Sequence, residues 1–131
     1  NNAADLELYP AAGYKVISVT ALDLDGRKAG FANYGSLVDL AAPGVDLLGP
    51  VNGGYALWSG TSMAAPLVAG EAALLMGLTP GRDKADDVVA CLEKDTVKVD
   101  EGHPLHGGKL GKGLINVTTA LACYQSYAQS H

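Results

Sequence analysis

A serine that opens an alanine-rich run and is followed four residues later by a proline, Gly60-Thr61-Ser62-Met63-Ala64-Ala65-Pro66, is the part of this sequence best suited to chemistry. A serine hydroxyl is a weak nucleophile until a base removes its proton and donors await the oxyanion that forms on the attacked carbonyl. The first turn of a helix meets part of that need. Its backbone N–H groups have no intrahelical acceptors, and the helix dipole favours negative charge there. Gly60 permits a sharp entry into the turn, and Pro66 has no N–H to offer the Ser62 carbonyl. Proline in a helix interior costs on the order of 3 kcal/mol, so its place here points to local geometry that matters. The plainer reading makes Ser62 an N-cap and Pro66 a first-turn proline, and the surrounding residues decide between the two.

The element carrying Ser62 reads as a helix over 62–78, apolar around nearly its whole circumference and interrupted by Glu71, which predicts a buried central helix. Thr79-Pro80-Gly81 ends it. Upstream, the β-branched run 15–21 reads as a buried strand of a parallel sheet, with a turn at 23–26 after it. Residues 38–40 form a second short strand, stopped by Ala41-Ala42-Pro43-Gly44. The turn-forming stretch 49–54 folds the chain back into a hairpin return over 55–59. Downstream, 86–93 has helical spacing and opens with Asp86 and Asp87, which suit a helix N-terminus. The glycine-rich stretch 103–113 is loop, and Asn116 N-caps a last helix through about residue 124. Strands alternating with helices give an α/β class, three layers deep.

Composition narrows the function. The 131 residues have the length of one domain, and 48% hydrophobic content excludes a disordered chain. Nine Lys and Arg against fourteen Asp and Glu leave a net charge of -5, which argues against a nucleic-acid partner. The apolar runs 14–24 and 64–78 are too short or too interrupted to span a bilayer, so no membrane is expected. The opening Asn-Asn-Ala-Ala-Asp has neither the basic start nor the apolar block of a signal peptide, and it lacks an initial Met, which points to a processing site or an engineered boundary. Cys91 and Cys123 lack metal-site spacing and are either two buried thiols or one bridge. Asp23-Leu24-Asp25-Gly26 lacks the later ligands of a calcium loop and reads as a turn.

The serine block, with Val68-Ala69-Gly70 behind it, resembles the serine signature of the subtilases. Tyr9-Pro10-Ala11, Val16-Ile17-Ser18-Val19, Ala42-Pro43-Gly44 and Gly111-Lys112-Gly113-Leu114-Ile115-Asn116-Val117 resemble further blocks of that family, in family order, so the resemblance covers essentially the whole chain. It implies a three-layer α/β subtilisin-like fold with a mainly parallel sheet, present here as its C-terminal part, with residues 1–131 belonging to a single catalytic domain. It also implies serine endopeptidase activity on peptides or proteins through an acyl-enzyme on Ser62, with no cofactor required. Leu67 stands where the family usually has a non-catalytic His. No His precedes Ser62, and Asp5, Asp23, Asp25, Asp39 and Asp46 do not sit in the family's aspartate block. The triad Asp and His are therefore expected on an N-terminal part of the same protease, and this chain alone is expected to be inactive.

Carried over residue by residue, the resemblance makes Asn1 the candidate oxyanion donor, with Asn2 as the fallback. Leu8 becomes the floor of the primary specificity pocket, and Trp58 with Ser59 the leaving-group side of the cleft. The carbonyls of Ala11, Gly13 and Val16 with Asp39 become a weak structural site for calcium or sodium. It also implies a cis bond at Tyr9–Pro10, a secreted protein, and a disulfide between Cys91 and Cys123, because the two helices that carry them pack together in the subtilase fold.

Two other classes compete. An α/β-hydrolase has the order Ser, acid, His, which Ser62, Asp95 or Asp100, and His103 or His106 satisfy, but Gly60-x-Ser62-x-Ala64 is not its Gly-x-Ser-x-Gly elbow. The chain is otherwise an inert or partner-binding fragment with an exposed sheet edge. Asn116-Val117-Thr118 fits a glycosylation pattern, but the N-cap explains Asn116 better.

Overall fold

Small side chains at the centre of two strands set the arrangement of the whole chain. The computed structural model describes residues 4–5, 8–78, 85–94, 96–99 and 104–129. Strands β1 (Val19–Leu22) and β2 (Leu40–Pro43) pair in parallel, Val19 opposite Leu40 and Leu22 opposite Pro43. Ala21, Leu40 and Ala42 are fully buried on one face of the pair, under the helices. Leu22 and Ala41 point to the other face, where Val99, Leu110, Leu114 and Tyr34 cover them. Burial on both faces is the condition under which parallel pairing is stable. Single bridges widen the sheet: Leu114 lies parallel to Ala41 and antiparallel to Val97.

Both strands differ from their expected bounds. The first starts later than residue 15 because Lys15 has a φ of 62° and Val16 donates its N–H to the Gly13 carbonyl at 3.1 Å, making a turn of 13–16. The second continues through Ala41-Ala42-Pro43 instead of stopping there. Ala41 donates to the Gly113 carbonyl at 2.9 Å, Ile115 donates to the Ala41 carbonyl at 3.0 Å, and Pro43 is the last residue, where its missing N–H is harmless. The hairpin follows as β3 (Leu47–Val51) and β4 (Gly54–Trp58), antiparallel, with Leu47 opposite Trp58. The Trp58 ring lies over Gly49, where a Cβ would come within 2.9 Å of the ring.

Helix α1 (Thr61–Gly77) lies across β1 and β2, and α2 (Ala85–Glu93) and α3 (Val117–Gln129) pack against it and each other. Its buried stripe is Ala64, Val68, Glu71 and Leu75. This corrects the expectation of a helix buried all round. Those positions recur at helical spacing on one face, and beside that stripe Leu67 and Leu74 on one flank and Met76 on the opposite flank are exposed, with no described element covering them. Asn116 caps α3, its Oδ1 accepting the Thr119 N–H at 3.4 Å, and the helix runs beyond residue 124. Cys91 and Cys123 form a disulfide between α2 and α3, with Cα atoms 5.6 Å apart. The Tyr9–Pro10 bond is cis, as expected. The loop after residue 103 contains one short 3-10 turn, Pro104–His106.

Candidate active site

Ser62 is the second residue of α1 and is exposed. Ahead of it Gly60 is extended, and its carbonyl accepts the N–H groups of Met63 at 3.0 Å and Ala64 at 3.3 Å. Those bonds close the first turn and leave Ser62 between them. Among the described residues nothing accepts the Ser62 N–H and nothing pairs with its hydroxyl, and no acidic side chain occupies the turn. An open N–H at a helix N-terminus beside a free hydroxyl can hold the negative oxygen of an attacked carbonyl while the hydroxyl oxygen bonds to the carbon. Pro66 lies inside the helix and withholds the N–H that would have bonded the Ser62 carbonyl.

Close backbone contact fixes the approach to this turn. Gly60 donates to the Gly44 carbonyl at 2.8 Å. A Cβ on Gly44 would meet the Gly60 oxygen at 2.9 Å and the Ala21 Cβ at 2.6 Å, so only glycine lets the end of β2 lie this close to the serine segment.

The other expected site residues distribute as follows. Leu8, about half exposed, borders two hollows of about 270 and 120 Å³. The smaller is also bordered by Thr20, Asn33, Tyr34 and Thr61, so Leu8 and the neighbour of Ser62 share one depression. Trp58 is partly exposed at the end of β4. Ser59 is exposed, but its hydroxyl is engaged with Asp46. Val16 and Asp39 border a cleft of about 550 Å³ that Lys15, Asp86 and Glu93 share, whereas Ala11 borders the 120 Å³ hollow. The Gly13 carbonyl already accepts the Val16 N–H, and Asp39 Oδ2 accepts the Ser18 N–H at 2.7 Å. Asn1 lies outside the described residues.

Thr20, Asn33 and Asp46 carry no sequence signal for the parts they play here. Thr20 is buried within β1 and donates its hydroxyl to the Asn33 carbonyl at 2.7 Å, a pairing that needs the fold to exist. Nearby charges are held by structure. The Lys28 ammonium donates to the carbonyls of Ala29 at 2.9 Å and Ala32 at 3.0 Å, and burial lowers its pKa. Lys109 pairs with Asp5, and that hydrogen bond raises its pKa. His106 packs edge-on against Tyr34, ring centres 4.5 Å apart.

The subtilase family model matches residues 1–111. The chain is 40% identical over 115 residues to an intracellular serine protease of Paenibacillus polymyxa, an alignment covering 84% of this chain and 34% of that protein. It is 35% identical over 129 residues to an extracellular basic protease of Dichelobacter nodosus, covering 86% of this chain and 20% of that protein. Among solved structures, the patellamide maturation protease PatA superposes with a TM-score of 0.85 at 33% identity, over 96% of this chain and 49% of that one. The chain thus spans well under two thirds of each. Among the described residues no helix is long and apolar enough to cross a membrane. The family match runs through the serine turn at the head of α1, and with it the α/β arrangement beneath that turn: this chain belongs to the subtilase family.

Proposed function

We propose that this chain is the nucleophile-bearing C-terminal part of a secreted subtilisin-like serine endopeptidase, and that it is inactive by itself. The observation carrying this reading is the state of Ser62, exposed at the head of α1 with its hydroxyl and N–H uncommitted among the described residues. Ser62 Oγ attacks the scissile carbonyl carbon while its proton passes to the imidazole of a triad His on the N-terminal part of the same protease. The carbonyl oxygen, now negative, is held by the Ser62 N–H and by the proposed second donor, the Asn1 side chain. The C–N bond then breaks, the amine leaves with that proton, and water releases the acyl group from Ser62. None of these steps requires a cofactor.

The apolar, half-exposed Leu8 supports a preference for apolar residues before the scissile bond, and the ring of Trp58 supports a place on the leaving-group side. The uncovered flank of α1 that carries Leu67 and Leu74, seven residues apart on one side of the helix, supports a covering partner, which that N-terminal part would supply. The carbonyls of Ala11, Gly13 and Val16 with Asp39 would suit a hard ion such as calcium or sodium only weakly, since Asp39 is their one carboxylate, Ala11 borders a different hollow from Val16 and Asp39, and Gly13 already accepts the Val16 N–H. The Cys91–Cys123 bridge and the extracellular relative support secretion. The expected result is that full-length protease hydrolyses a peptide anilide and is labelled by a fluorophosphonate at Ser62, that Ser62→Ala loses about 10⁶ in kcat, and that residues 1–131 alone do neither. Turnover by the Ser62→Ala protein, or by 1–131 alone, overturns the reading.

A further inference from the structure

We infer that Asp46 and Ser59 are a positioning pair for Ser62, a clasp at the root of the β3–β4 hairpin that fixes the direction in which the chain enters α1. The last backbone pair of the hairpin is Leu47 with Trp58, so Asp46 and Ser59 occupy the next rung. There the backbone ladder gives way to side chains. The Asp46 N–H donates to Ser59 Oγ at 2.9 Å, and that hydroxyl donates back to Asp46 Oδ1 at 3.3 Å.

Asp46 holds a φ of 53°, in the left-handed region that Asp enters when its short polar side chain can hydrogen-bond locally. The reciprocal bonds to Ser59 supply such local bonding. One residue further on, Gly60 donates to the Gly44 carbonyl at 2.8 Å. The strand entering the hairpin and the strand leaving it are therefore tied at two successive places, immediately before the Gly60 carbonyl closes the first turn around Ser62.

The hairpin gives this clasp its purpose. Leu48, Tyr55 and Leu57 are 71%, 74% and 64% exposed, so little packing restrains the body of the hairpin. Without the clasp its swing would pass through Ser59 and Gly60 to the Ser62 N–H and hydroxyl, and a misplacement of about 1 Å at a reacting atom can cost roughly 10²-fold in rate. The same bonds engage the Ser59 hydroxyl as both donor and acceptor, which suits it to a positioning role.

This inference rests on Ser62 being the nucleophile, and the experiment separates the two. In full-length protease, Ser59→Ala is expected to lower kcat on a peptide anilide about tenfold, to slow fluorophosphonate labelling of Ser62 by the same factor, and to leave KM and the pH profile of kcat/KM unmoved. Asp46→Asn, which keeps the acceptor oxygen and tolerates the same φ, should retain most of the rate. Amide hydrogen exchange at residues 60–63 should quicken in Ser59→Ala alone. A Ser59→Ala enzyme that melts earlier but keeps its kcat, or an Asp46→Asn enzyme as slow as Ser59→Ala, overturns the positioning role. If the unmutated protease is not labelled at Ser62, the nucleophile reading fails, and unchanged exchange at 60–63 in Ser59→Ala then removes the clasp as well.

Discussion

Glu71 is 4% exposed, and among the described residues neither of its carboxylate oxygens has a hydrogen-bond partner. It lies on the buried stripe of α1 between Val68 and Leu75. Burial raises its pKa, because an ionised carboxylate without partners is poorly solvated there. Below the ordinary carboxylate pKa both the folded and unfolded chains hold the proton, and the residue carries no charge penalty. As pH rises through the raised folded value the folded chain must keep a proton that the unfolded chain has lost, or bury a charge, and stability falls. Glu71→Leu, made in the Ser62→Ala background of the full-length protein, should therefore stabilise by about 1–3 kcal/mol at pH 7. The gain should be smaller at pH 4 when melts are compared. An equal gain at both pH values would show that Glu71 acts through packing alone. The sequence exposed Glu71 as a break in an apolar run, but a helix apolar on every side gives no sign of which face is covered.

Elements were legible where the signal lies within a few residues. The helix headed by Ser62, the hairpin and the Asn116 cap follow from local periodicity and turn residues, and each sits within a few residues of its expected place. What stayed hidden depends on contact across the chain. Ala41-Ala42-Pro43 reads as a terminator, yet Gly113 and Ile115 bond to Ala41 from beyond α1 and α2 and make it strand. Gly111 serves the same seam. It has a φ of 76°, and a Cβ there would run into the Asp39 carbonyl and lie 2.7 Å from the Leu40 nitrogen. Its neighbour Lys112 donates to that carbonyl at 2.8 Å. Gly111→Ala should therefore destabilise by at least 1–3 kcal/mol, the order of backbone strain alone. Gly107→Ala, where a Cβ would meet nothing within 4 Å, should stay within about 0.5 kcal/mol in the same denaturant titration. Equal effects of the two would refute the seam's tightness. The Asp46–Ser59 clasp escaped for the same reason, since no spacing rule links two polar residues across a hairpin.

For the molecule as a whole, a cluster common to α1, α2 and α3 draws the C-terminal third onto the sheet, and the Cys91–Cys123 bond locks it there across a separation of 32 residues. Closing a loop of that length disfavours the unfolded chain by about 3–4 kcal/mol on the chain-entropy estimate. The enclosed stretch contains the surface loop around Leu105, which is 87% exposed, with Lys109 and Lys112 close by. An exposed loop of this kind is a ready place for a protease to cut. Hydrolysis there adds one water to the mass and severs nothing, because both products remain joined through sulfur. Brief trypsin treatment of Ser62→Ala protein should give a nicked species of undivided mass that separates only on reduction, whereas Cys91→Ser should shed α3 at the first cut. The wound that would unmake an unbridged chain becomes, in this one, only a change of connectivity.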